Sequence, residues 1–208
     1  MRHVLVLAAC AVLGACSTGD IASRGMSQPS ALAYAPAYTL AGVEVDVPRS
    51  LSVSEANRIY PFADIVWRGE ERGDRYEQVA AIFRDGAGIA AGKLTQGPSV
   101  VAHIKVQRFH SVTERAMHHT GGDHDMRFTL TLRDAVSGKV VMGPRPMHAV
   151  LPAFGGAAAV QAASRGETMR VRIVNHIGGV LLKVLSEPRG IPAAPPAPAQ
   201  MASVSATF

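Results

Sequence analysis

The sequence predicts an α+β domain, an antiparallel sheet with helices packed on one face as a two-layer sandwich. Three observations carry this. Met126, Phe128, Leu130 and Leu132 alternate with Asp125, Arg127, Thr129, Thr131 and Arg133, which makes a strand with one buried and one wet face. Asp134–Gly138 has turn chemistry, with Gly138 available for positive φ, and Lys139–Met142 returns beside the first strand as a hairpin. Glu167–Leu185 sets Met169, Ile173, Ile177, Val180 and Val184 on one helical face. Strands joined in hairpins, with helices gathered to one side, bury both apolar faces in two layers.

The remaining elements follow in order. Val43, Val45 and Val47 alternate with Glu44 and Asp46 as a half-wet strand that Pro48 ends. Ser52–Tyr60 reads as a short helix stopped by Pro61, and Ala63–Trp67 as a short strand. Asp74–Leu94 reads as a helix, because Asp74 with Glu77 three residues on resembles a capping box and Tyr76, Val79, Ala80 and Phe83 share a face. Gly86 and Gly88 each cost such a helix about 1 kcal/mol relative to Ala, so a kink or a close backbone contact is expected there. Val100–His110 reads as a strand whose even face runs Val100, Ala102, Ile104 and Val106 into Arg108 and His110. Ser111–Asp123 reads as a loop, Met147–Leu151 as an edge strand and Gly155–Ser164 as an Ala-rich helix.

The 208 residues include 21 Lys and Arg against 16 Asp and Glu, a formal net charge of +5. That charge is mild and scattered, which argues against a nucleic-acid surface. No apolar run reaches the roughly 18 residues of a membrane-spanning helix. The sequence divides into residues 1–15 as a lipoprotein signal peptide, 16–35 as a lipidated cysteine and flexible tether, 36–186 as a periplasmic domain and 187–208 as a disordered Pro/Ala-rich tail. The final Phe208 lacks the long alternating strand of an outer-membrane barrel terminus.

The N-terminus carries the strongest signal. Arg2 precedes an apolar run, Val4–Leu13, too short to span a bilayer but suited to a secretory signal. Leu13-Gly14-Ala15-Cys16 looks like a bacterial lipobox, with small residues for the peptidase and a thiol to accept lipid. Leu7-Ala8-Ala9-Cys10 fits the same short pattern but leaves too little apolar sequence ahead of it. Cys16 is therefore the expected lipidation site, and the sorting rule of the lipoproteins this segment resembles implies, from Ser17 beside it, the outer membrane. Cleavage before Cys16 removes Cys10, so no disulfide is expected within the mature chain. Several acyl chains would make the anchor effectively permanent, since one chain alone holds only marginally.

No catalytic set assembles from the motifs. Gly86-Ala87-Gly88-Ile89-Ala90-Ala91 fits a loose dinucleotide pattern but sits in a helix rather than between strand and helix. Gly92-Lys93-Leu94 lacks the hydroxyl residue of a P-loop, and neither G-x-S-x-G nor H-E-x-x-H occurs. His118, His119 and His124, with His110 upstream and Glu114, Asp123 and Asp125 nearby, have the composition of a metal site. Their spacing is against it, since adjacent histidines on a strand point to opposite faces. Arg108, His110, Glu114 and Arg115 form the best polar cluster for a partner or ligand, with Arg108 expected to pair with Glu114. Phe154, between Pro152 and Gly155-Gly156, is a further contact candidate.

The chain resembles a family of small alphaproteobacterial lipoproteins of unknown function. The resemblance rests on the lipobox and on Tyr38-Thr39-Leu40-Ala41-Gly42-Val43, Arg108-Phe109-His110-Ser111-Val112-Thr113-Glu114-Arg115 and Leu151-Pro152-Ala153-Phe154-Gly155-Gly156. More loosely, the order of elements is similar to that of periplasmic auxiliary lipoproteins of envelope transport and assembly systems. The expectation is a non-enzymatic outer-membrane lipoprotein whose periplasmic domain acts as a binding or adaptor module for an envelope protein or lipid, with no cofactor and no nucleic acid. A lipid or small-ligand carrier and a metal-dependent enzyme on the His110–His124 cluster are the alternatives.

Overall fold

The computed structural model describes residues 33–35, 38–187 and 189–191. The lipobox, Cys16, most of the tether and the end of the tail, Phe208 included, lie outside the described residues.

The main sheet is built on β4 (Ser99–His110), β5 (Gly122–Asp134) and β6 (Val140–Ala153), paired antiparallel as the alternation predicts. β2 (Thr39–Asp46) and the two-residue β3 (Ile65–Val66) then join β4 in parallel, so the order is β2-β4-β5-β6 with β3 beside the far end of β4. The sheet is thus mixed, because the helix α1 (Arg75–Ala91) intervenes before β4 and returns the chain in the same direction. A separate antiparallel ribbon pairs β1 (Ala33–Ala35) with β7 (Arg189–Ile191), at the edges of the segments read as tether and tail.

β6 is one strand of 14 residues, where two shorter pieces were expected. The pieces join through Gly143, at φ +99, where a Cβ would sit 2.5 Å from Leu130 O. Pro144, Pro146 and Pro152 lie along β6, the last strand of the sheet order, where a missing N–H leaves no ladder bond unmade.

Helices α1 and α4 (Met169–Leu185) cover one face of this sheet. Asp74 caps α1 by accepting from the N–H of Tyr76 and Glu77, as read from the sequence. Thr168 caps α4 by accepting from Val171 N. Gly86 is the close approach. A Cβ there would meet Ile177 Cγ2 at 2.7 Å, and one at Gly178 would meet Gly86 O at 3.0 Å, so the two helices touch through glycines. Trp67, Phe83, Phe109 and Phe128 fill the layer between helices and sheet in edge-on pairs with centroids 5.1 to 6.3 Å apart.

Ser52–Tyr60 is a loop rather than a helix. Its polar side chains bind backbone instead of leaving it to a helix. Ser52 N and Oγ donate to Asp64 Oδ2, Ala56 N donates to Ser54 Oγ, and Val53 bridges to Ile65. The loop Ser111–Asp123 holds a one-turn helix, α2 (Glu114–His118), which Thr113 caps by accepting from Ala116 N. A short helix α3 (Gly156–Ser164) precedes α4 as expected. Among the described residues the helices lie on one side, and the other face of the sheet is polar and open. Glu44–His103 at 3.0 Å and Gln107 Nε2 to Thr129 Oγ1 at 3.2 Å are typical of it.

Candidate functional site

Among the described residues the open face carries a cleft of about 300 Å3 beside Gln107, Pro146 and Met147 and two larger ones. One, of about 480 Å3, lies between Glu44, Asp46, His103, Lys105 and Thr131, with no Tyr, Trp or Phe in its lining. The other, of about 450 Å3, lies where β4 ends and β5 begins, between the loop residues Ile59 and Tyr60 and the β6 residues His148 and Val150. The second combines aromatic, apolar and assembled polar groups, and is the candidate site.

A β-bulge makes it. Pairing between β4 and β5 steps from Val106↔Phe128 to Arg108↔Arg127, leaving Gln107 without a partner. One extra residue reverses which face the rest of the strand presents. Phe109 enters the core, and Arg108 and His110 come out on the open face. The expected continuation of the apolar even face into Arg108 and His110 is therefore corrected.

The register then explains the cluster. Arg108, Arg127 and His148 lie across β4, β5 and β6 in one row, and His110, Asp125 and Val150 in the next. Two arginines directly opposite repel. Asp125, two residues from Arg127 on the same face, accepts from both, with Arg108 Nε at 3.0 Å and Arg127 Nε at 3.3 Å. It also bonds His148 Nε2 at 2.7 Å. Burial works against its charge, but the bonds from His148 and Arg127 outweigh that and hold Asp125 below the ordinary carboxylate value.

Arg108 reaches further, donating to Ala63 O at 3.3 Å, to Tyr60 Oη at 3.2 Å and to His110 Nδ1. A ring nitrogen that accepts leaves the proton on Nε2. Burial and the Arg108 charge push His110 down, against Asp125, so it is neutral at pH 7. The Tyr60 ring lies over His110 at 4.6 Å.

Arg108 does not pair with Glu114, as the sequence reading expected. Glu114 is bound instead by the Arg68 guanidinium, through Nε and, at 3.0 Å, Nη2. Burial opposes the Glu114 charge, yet this pair and its other bonds hold the pKa below its usual value. Arg68 also donates to Glu55 O at 2.7 Å. Arg75, only 4 % exposed, grips the Glu55 carboxylate at 2.6 and 3.0 Å. These ion pairs tie the loop before β3 to α1 and α2. Arg115 is exposed and does not line the cleft, and its backbone N–H donates to Asn57 Oδ1 at 2.9 Å. So Glu114 supports the loop, His110 lines the cleft, and Arg108 braces it through Asp125, Tyr60 and His110.

The pinned loop thrusts Ile59, Tyr60 and Phe62 into solvent, the last 96 % exposed. None was singled out from the sequence. Ile59-Tyr60-Pro61-Phe62, an apolar run broken by proline, was the available signal.

The remaining candidates separate. His118 and His119 are exposed on α2 and its cap, whereas His124 is fully buried on the helix side of β5. The three do not converge, and among the described residues no group of three His, Cys, Asp or Glu is placed to hold a metal. His124 Nδ1 bonds Ser111 Oγ at 2.8 Å, and among the described residues its Nε2 has no partner, nor does that of His176. Burial first, then the charges of Arg172 and His176, push His124 down to about 4. Phe154 is half-exposed and lies under the Arg172 guanidinium, 3.8 Å from the ring centroid, against α3 and α4 rather than the cleft.

The chain belongs to a family of unknown function, DUF6778, whose match spans residues 38–201 and so includes the three segments, but not the lipobox, on which the sequence resemblance rests. No curated protein matches it. Among solved structures it is similar to a Xanthomonas campestris protein of the DUF330 family, at TM-score 0.40 and 13 % identity, over 76 % of this chain and 88 % of that one. It is also similar to a Caulobacter crescentus CB15 protein provisionally described as a lipoprotein, at TM-score 0.34 and 12 % identity, over 68 % and 87 %. Likenesses this distant carry nothing about the site.

Proposed function

We propose that this chain is a lipoprotein anchored through Cys16 to the periplasmic side of the outer membrane, and that its domain is a non-enzymatic adaptor docking an envelope protein. The anchor reading is supported by Leu13-Gly14-Ala15-Cys16 and Ser17. No helix among the described residues is long and apolar enough to cross a membrane.

One observation carries the docking reading. Ile59, Tyr60 and Phe62 stand exposed beside a cleft lined by Asp125, Arg127 and His148, with Arg108 bonded to Asp125 behind them. Aromatic and arginine side chains around a recess are the composition of protein-interface hot spots. The non-enzymatic reading is supported by Asp125, which is committed to three donors, and by Ser111, whose Oγ pairs with His124 but which is only 2 % exposed.

A photo-crosslinking residue in place of Phe62, in cells, tests this against one in place of Val136, which is 95 % exposed at the opposite end of β5. A discrete adduct from Phe62 but not Val136, lost with Tyr60→Ala and with Cys16→Ala, is the expected result. Equal adducts from both positions, or none from Phe62, would overturn it. Hydrolysis by the purified chain that disappears in Asp125→Asn would overturn the non-enzymatic part.

A further inference from the structure

The helix side of the sheet holds a second, much smaller recess beneath α3 and α4. Its volume is about 30 Å3, enough for a water or a single ion. His124 lines it from β5, Met117 from α2 and Met169 from the first turn of α4.

His124 is the informative member. It is wholly buried, and Ser111 Oγ at 2.8 Å occupies Nδ1, leaving Nε2 as the nitrogen without a partner. A buried polar atom with no bond is costly and uncommon, and one explanation is a group that the protein binds. Fixing one imidazole nitrogen so that the other is presented is also how metal-binding histidines are oriented. In the tautomer whose Nδ1–H donates to Ser111 Oγ, Nε2 carries the lone pair that an ion would take.

The other two side chains set the kind of ion. Thioether sulfur is soft and uncharged, and with imidazole it suits Cu(I) rather than magnesium or calcium. Arg172 and Glu167 line the same recess and offset each other, with Arg172 turned to Pro152 O at 2.7 Å and to the Phe154 ring. That guanidinium works against a divalent charge more than a monovalent one.

We propose that this recess is a site for a single Cu(I) ion, held by His124 Nε2 and the sulfurs of Met117 and Met169. It lies on the opposite face of β5 from the docking cleft and does not depend on the docking reading.

The test is anaerobic Cu(I) titration of the full chain against a chromophoric Cu(I) chelator, with Cys10→Ser and Cys16→Ser so that no thiol competes. The expected result is one ion per chain, with affinity falling more than about tenfold in Met117→Leu, Met169→Leu or His124→Gln. His118→Ala and His119→Ala should leave it unchanged. Cu(I) should also raise the unfolding midpoint of the parent and not of Met169→Leu. The site would be overturned by no saturable uptake, the result if the recess holds only water. It would equally be overturned by uptake that survives both Met→Leu changes.

Discussion

His124 and Asp125 are neighbours on β5, and the pleat sends them to opposite faces. Asp125 has donors from β4, β5 and β6, because the open face brings three strands' polar side chains into adjacent rows. His124 faces α4, whose nearby polar side chains are Arg172 and His176, both donors when charged and neither a carboxylate. The same strand therefore carries a saturated anion outside and a neutral imidazole with one idle nitrogen inside. A polar residue's cost is set less by its own burial than by what the facing element can offer it.

The largest expected effect is on the inner residue. His124 stays neutral down to about pH 4, against an ordinary value of 6.5. The unfolded chain takes up a proton as pH falls below 6.5 while the folded chain does not, so stability is lost between pH 6.5 and about 4 and levels off below. The loss should be about 3 kcal/mol. The groups facing His124 are Arg172, His176 and Glu167. Urea unfolding across that window should show the slope in the parent and much less of it in His124→Gln. An equal slope in both would mean that His124 is not the inner residue that resists charge.

The outer residue should respond next. Asp125→Ala leaves Arg108, whose side chain is 23 % exposed, facing Arg127 with no anion between them. A cost of about 2 kcal/mol is expected from the unpaired, half-buried cation. A cost under about 0.5 kcal/mol would reduce the cluster to ordinary surface ion pairs and weaken the contrast with His124.

Much of the fold was legible because its elements have strong periods. The β5 alternation, the Asp74 cap and the apolar stripe of α4 all appear where the residues place them. Gly86, flagged as a weak helical position, is where α1 meets α4, while Gly88, flagged with it, has no close neighbour. What failed were readings that assumed an unbroken period. Arg108 and His110 were placed on the core face because the bulge at Gln107 was not seen. Phe109, apolar and out of phase between two polar residues, was the trace it left in the sequence. The Arg108–Glu114 pairing failed for a different reason. Its true partners, Arg68 for Glu114 and Asp125 for Arg108, are distant in sequence and meet only through strand pairing. The parallel entry of β2 has the same origin, since alternation fixes a strand's faces but not its direction.

The smallest expected effect on stability separates binding from folding within the outer cluster. The side chains of Arg127 and His148 are 54 % and 53 % exposed, and each makes one bond to Asp125 that water could replace. Exposed pairs of this kind contribute roughly 0 to 1 kcal/mol. Arg127→Ala and His148→Ala should therefore leave the urea midpoint within about 0.5 kcal/mol of the parent. If the cleft is where the partner docks, both should nevertheless weaken the crosslink from the Phe62 position, because rim and floor charges set orientation and encounter. A large stability loss in either would show that the outer cluster is structural, like the Glu55–Arg75 pair beneath the loop. Unchanged crosslinking in both would confine the contact to Ile59, Tyr60 and Phe62, and Asp125 would then be a brace that keeps two facing arginines apart.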